Sequence, residues 1–90
     1  MKTPTRVIWK FPLALAERQC IKLPRGAELL DVQVQDGVAC LWAIVFPEND
    51  PVPVNLRIIG TGNPFELSKH SLYVGTFQTP PFVWHLFQEP

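Results

Sequence analysis

Leu29 to Phe46 reads LLDVQVQDGVACLWAIVF, and its pairing decides the fold. Asp36-Gly37 is the strongest short hairpin signal, because a type I′ turn needs positive φ at both central residues. With those two residues in the turn, Gln35 faces Val38 and the pairing runs outward. Val34 meets Ala39, Gln33 meets Cys40, Val32 meets Leu41, Asp31 meets Trp42 and Leu30 meets Ala43. One face then holds Leu30, Val32, Val34, Ala39, Leu41 and Ala43. It is wholly apolar, which supports this register, because a one-residue slip would exchange the two faces. The other face mixes Leu29, Asp31, Gln33, Gln35, Val38, Cys40, Trp42 and Ile44. A core does not require that mixture, so binding chemistry is sought there.

Outward from the hairpin, ten prolines and five glycines separate runs rich in Val, Ile, Phe, Trp and Thr. Short runs between such punctuation are the pattern of an all-β domain. Arg6 to Phe11 is the first strand; Pro12 limits ladder pairing, so the strand lies at an edge or ends there. Leu13 to Arg18 is helix-permissive but too short to nucleate alone, so it reads as a connector of at most one turn. Gln19 to Leu23 is the next strand, followed by a turn at Arg25-Gly26. After the hairpin, Pro47 to Pro53 reads as a loop and Val54 to Ile59 as a strand. Gly60-Thr61-Gly62 breaks that strand, and Phe65 to His70 reads as a loop or short helical turn. Leu72 to Gln78 is a strand in which Gly75 marks a bulge or close packing, and Phe82 to Phe87 is the last. About seven strands joined by short turns imply antiparallel sheets, arranged as a small sandwich or a partly open barrel.

Ninety residues form a single β domain spanning positions 1–90. A chain of this length buries only roughly 60–65% of its unfolded surface, so the core is thin. Three tryptophans and six phenylalanines are a rich supply for it, which leaves apolar surface for a partner. Eight basic and eight acidic residues cancel with no basic run. Nucleic-acid binding rests on a positive field, so no nucleic-acid partner is expected. Cys20 and Cys40 share no CxxC spacing and read as two separate buried thiols in a reducing compartment. The apolar run FPLALA is too short, and too interrupted by Pro12, for a signal peptide. No run approaches the roughly 20 apolar residues of a membrane helix, so a soluble cytoplasmic protein without a membrane partner is expected.

Catalytic constellations are missing from the sequence. His70 and His85 are the only histidines. Their spacing matches no metal-ligand pair, so no metal and no cofactor is expected. His85, in an apolar strand, reads as a structural histidine with its nitrogens satisfied, and His70 as exposed. Ser68 and Ser71 flank His70, but a triad is defined by geometry, not by adjacency in sequence. There is no GxSxG elbow. A non-enzymatic binding protein is the reading that remains.

For binding, Asp31 and Gln33 lie beside Trp42 on the mixed face. An aromatic ring there could stack on a planar ligand while the polar groups read its edges. Gly60-Thr61-Gly62 reads as a positive-φ turn whose amides could form a small anion nest, with Arg57 adding charge. Trp42, Ile44 and Phe46 also suit a homo-oligomer interface, where tryptophan is enriched.

KFPL (Lys10–Leu13), KLPRGAELLDVQVQDGVACLWAIV (Lys22–Val45), IIGTG (Ile58–Gly62), YVGTFQ (Tyr73–Gln78) and VWHLF (Val83–Phe87) together resemble a family of short proteins encoded by tailed bacteriophages and prophages. The resemblance covers nearly the whole chain and includes no catalytic signature. It implies a phage accessory protein working in the host cytoplasm. By analogy of context, such proteins counter host defence by binding. The resulting expectation is a homo-oligomer that sequesters a small nucleotide-like signal through Asp31, Gln33, Trp42, Arg57, Gly60, Thr61 and Gly62. The alternative is a protein–protein module that inhibits a host protein or serves phage assembly.

Overall fold

The computed structural model describes residues 3–90; Met1 and Lys2, inside the expected domain span, lie outside the described residues. Seven strands follow in order: β1 (Val7–Pro12), β2 (Arg18–Pro24), β3 (Glu28–Gln35), β4 (Val38–Val45), β5 (Pro51–Gly60), β6 (Leu72–Thr79) and β7 (Phe82–Glu89). They form a three-stranded sheet, β1-β4-β3, and a four-stranded sheet, β2-β5-β7-β6, with every pairing antiparallel. The sheets pack as a small sandwich and do not close into a barrel. No helix forms at Leu13 to Arg18 or at Phe65 to His70.

The hairpin register agrees with the expectation from Gln35↔Val38 through Asp31↔Trp42. Asp36 and Gly37 take φ of 52° and 79°, as a type I′ turn requires. Beyond Asp31 the structure departs. A bulge at Leu30 places Leu29, not Leu30, opposite Ala43. A bulge adds one residue to one strand and so inverts the facing of everything past it. Leu29 therefore packs on the core, while Leu30 is 41% exposed. Val34, near the hairpin tip, is also exposed, so the expected core face is buried only from Val32 and Ala39 inward.

The core is what the two inner faces share. Val32, Ala39 and Leu41 of one sheet meet Leu56, Ile58, Phe77 and Leu86 of the other, with Leu13 closing the cluster. Leu23, Ala43 and Val45 form a second cluster with Val7, Phe11 and Ile21 packed against it. The body is long and thin, 50 × 32 × 16 Å. Its radius of gyration is 13.9 Å, against about 12 Å for a compact chain of this length.

Proline positions explain why strands run through residues expected to be loop. The Ile58 N–H donates to the Glu17 carbonyl, so alternation turns the backbone of Val52, Val54 and Leu56 toward β2. The missing N–H groups of Pro51 and Pro53 then face the side beyond the end of β7 at Glu89, and no ladder bond is lost. Gly75 is buried at the other seam, where β6 lies along β3. A Cβ there would stand 2.9 Å from Asp31 Oδ1 and 3.0 Å from Val32 Cγ1. The register shift between Tyr73 and Gly75 is the bulge anticipated at this glycine.

Candidate functional site

The residues proposed from sequence do not converge on one ligand. Asp31 and Gln33 line an open groove at the β3–β6 seam with Val34, Thr76 and Gln78. Asp31 is consumed locally: Oδ1 accepts from the Val32 amide at 2.8 Å and Oδ2 from Gln33 Nε2 at 3.0 Å. Trp42 lies on the outer face of the three-stranded sheet, with Lys10 Nζ 5.8 Å from its ring centroid. Lys10 also donates to Gln35 at 2.6 Å. That reach crosses the row of Cys40, which is buried as expected. Cys20, expected to be buried, is exposed on β2, and both thiols are free. Ile44 is half-buried on the same outer face as Trp42, while Phe46 is drawn onto the Gly26 turn.

Arg57 lies on the other sheet, in β5. It is a buried charged residue, 6% exposed, and it serves the protein's own chain rather than an anion. Its guanidinium pairs with Glu17 at 3.5 Å and Glu89 at 3.8 Å and donates to the Glu66 carbonyl. Its Cζ lies 6.0 Å from the Phe65 ring centroid. The partners come from three segments, so Arg57 clamps the loop before β2 and the loop after β5 onto one sheet. The glycine turn is tied in part to the rest of the fold. Thr61 N–H donates to the Val83 carbonyl and Asn63 N–H to the Gly60 carbonyl. Gly62, at φ +89°, provides the turn geometry.

What the two clamped loops create is a cleft of about 280 Å³ lined by Leu15, Glu17, Ile58, Gly60, Asn63, Phe65 and Trp84, among others. Its position follows from the chain. β2 leaves β5 at Glu17, so the edge of β5 at Gly60 has no neighbouring strand. Gly60 lies opposite Trp84, and a Cβ at Gly60 would stand 3.1 Å from the indole ring. The absent side chain lets the indole lie against the backbone. The indole N–H donates to Thr79 Oγ1 at 2.7 Å, which fixes the ring. Gln19 holds the other wall: its amide donates to the Ala14 carbonyl at 2.7 Å and accepts from the Ala14 N–H at 3.1 Å. The cleft is thus apolar on its walls, with Glu17 and Asn63 as polar groups.

Behind Phe65 a smaller cleft of about 200 Å³ is lined by Gly60, Thr61, Gly62, His85 and Phe87. His85 is satisfied on both nitrogens, Nε2 with Thr61 Oγ1 at 2.7 Å and Nδ1 with Thr76 Oγ1 at 3.0 Å. This is the structural histidine expected from the sequence. Among the described residues no group of His, Cys, Asp and Glu is placed to hold a metal ion. Also among them, no helix is long and apolar enough to cross a membrane.

The sequence reading missed Leu15, Glu17, Asn63, Phe65 and Trp84. Two of them carried a usable signal. Phe65 is an aromatic directly after the Gly-Thr-Gly-Asn-Pro break, where no strand periodicity demands it. Trp84 faces a glycine across a strand pair, visible only once β5 and β7 are known to be neighbours.

A family model described as a domain of unknown function, DUF7352, matches residues 4–90. No curated protein matches the chain, and no solved structure does.

Proposed function

The chain belongs to the DUF7352 family, and from that premise we propose that it is a non-enzymatic binding protein whose ligand enters the cleft between Leu15, Phe65 and Trp84. The carrying observation is the cleft itself: two aromatic rings and an uncovered strand edge, held open by the Arg57 clamp. Its volume lies just below the roughly 300–1,000 Å³ of drug-sized pockets. It suits one planar ring system with a short polar attachment. Aromatic faces favour stacking on such a ring. Glu17 can accept hydrogen bonds from ring amino groups, while Asn63 both donates and accepts.

These features agree with a small nucleotide-like signal, sequestered by a phage accessory protein in the host cytoplasm. They shift the recognition from the phosphate to the ring. Arg57 is already paired, and no cation lines the cleft. A heavily phosphorylated ligand therefore suits it less than a nucleoside or a compound with its phosphates turned to solvent. Isothermal titration against cyclic and ADP-ribose-type nucleotides and their nucleosides is the test. Silence across the whole panel would sink the proposal.

One observation supports the second reading, a protein–protein module. Ile8, Leu72, Tyr73 and Phe82 are each more than half exposed, on a body thin enough to present several faces. A host protein or a phage assembly component would cover such surface. Retention of the folded chain on a column carrying a candidate partner, lost on Tyr73→Ser or Phe82→Ser, would favour it.

A further inference from the structure

The strand edges of the sandwich are unequally protected. β3 and β6 lie along each other. β2 bears Arg18 and Lys22 and ends in Pro24, and charge and proline both guard edges. β1 is different. The Leu13 N–H donates to the Ala39 carbonyl at 2.8 Å, which extends the β1–β4 ladder and sets its phase. Alternation then turns the backbone of Val7, Trp9 and Phe11 toward β4, and the N–H and C=O of Ile8 and Lys10 outward. Ile8 is 60% and Trp9 41% exposed. Lys10 is the side chain that would guard this edge, but it reaches inward over Trp42 to Gln35.

We infer that two copies of this chain pair through β1, antiparallel about a two-fold axis, with Trp9 opposite its own copy. Charge selects this register. Pairing Lys10 with its own copy sets two ammonium groups face to face, and pairing Ile8 with its own copy sets Lys10 opposite Arg6. Like charges directly opposite are destabilising. With Trp9 on the axis, each Lys10 faces Ile8, and Ile8 and Lys10 exchange ladder hydrogen bonds. The inner-face row becomes Phe11 on Val7, Trp9 on Trp9 and Val7 on Phe11. That row is apolar throughout and identical read from either copy, as a two-fold interface must be. Trp9 occupies a non-hydrogen-bonded position, where cross-strand side chains approach closest. The missing N–H of Pro12 faces the same edge and marks the end of the pairing.

The inference is independent of the cleft, and it differs from an interface built on Trp42, Ile44 and Phe46. Size-exclusion chromatography with light scattering on the full chain tests it. Wild type elutes at twice the chain mass. Ile8→Pro deletes an outward N–H without touching the β1–β4 ladder, so it elutes at the chain mass with an unchanged far-ultraviolet spectrum. Trp9→Lys, which sets two cations at the axis, is likewise monomeric. Ile44→Asp, on the outer face, remains dimeric. A monomeric wild type at high micromolar concentration overturns the inference. So does a dimer that survives both Ile8→Pro and Trp9→Lys, or one that only Ile44→Asp dissociates.

Discussion

Gly75→Ala tests the seam where the two sheets approach most closely. The added carbon would stand 2.9 Å from Asp31 Oδ1, 3.0 Å from Val32 Cγ1 and 3.4 Å from the Val32 nitrogen. Ordinary carbon contacts lie at about 3.5–4.0 Å, so the shortfall is roughly half an ångström to one ångström on the nearer two. Neither neighbour yields freely. Asp31 Oδ1 is held by the Val32 amide, and Val32 is 1% exposed within the core. Overpacking of this kind costs about 1–3 kcal/mol. Gly75 has no positive φ, so alanine also gains about 0.4–1 kcal/mol from a restricted unfolded state. The steric cost wins, leaving a net loss of about 1–2 kcal/mol. At about 4–8 °C per kcal/mol for a domain of this size, the midpoint falls by roughly 4–16 °C. Thermal unfolding followed by circular dichroism measures it. The same substitution in a Val32→Ala background costs less, because one of the two close contacts is gone. A midpoint that rises with Gly75→Ala, or an identical cost in both backgrounds, refutes the packing described for this seam.

Other substitutions probe separate parts of the account. Gly37→Ala has open space around the new carbon but keeps φ of 79°, so urea denaturation should show a loss of about 1 kcal/mol from backbone strain alone. Under native conditions a thiol reagent should label Cys20 promptly, and Cys40 only at the rate of opening, followed by mass spectrometry. Arg57→Met should lower stability by about 1–3 kcal/mol, less than a fully buried pair would lose, because Glu17 is largely solvated. It should also loosen the loops at Glu17 and Phe65, read as faster amide exchange there.

The hairpin was legible because Asp36-Gly37 admits one turn type, and that turn determines the pairing as far as Asp31. Its limits are equally physical. The Leu30 bulge leaves no local mark, since an extra residue is tolerated wherever tertiary packing rewards it. Cys20, read as buried with Cys40, is exposed because it sits on the outward side of the edge strand β2. Prolines read as breakers at Pro51 and Pro53 because their harmlessness depends on where β7 ends. The separation of the proposed site residues has the same cause. Asp31, Gln33 and Trp42 belong to one sheet and Arg57 with the Gly60–Gly62 turn to the other, and sheet membership is not a local property. Arg57 was read as charge added to the glycine turn; its partners, Glu17, Glu66 and Glu89, lie too far along the chain to be paired by inspection.

The cleft is the central claim, and calorimetric titration of three proteins side by side tests it most directly. Any compound that binds wild type should do so at one molecule per chain. Ala16→Trp places an indole at the mouth of the cleft from an exposed loop position and should abolish the heat. Trp42→Ala, on the other sheet and not lining the cleft, should leave it unchanged. Binding that survives Ala16→Trp but disappears with Trp42→Ala would return the site to the hairpin face and contradict the account.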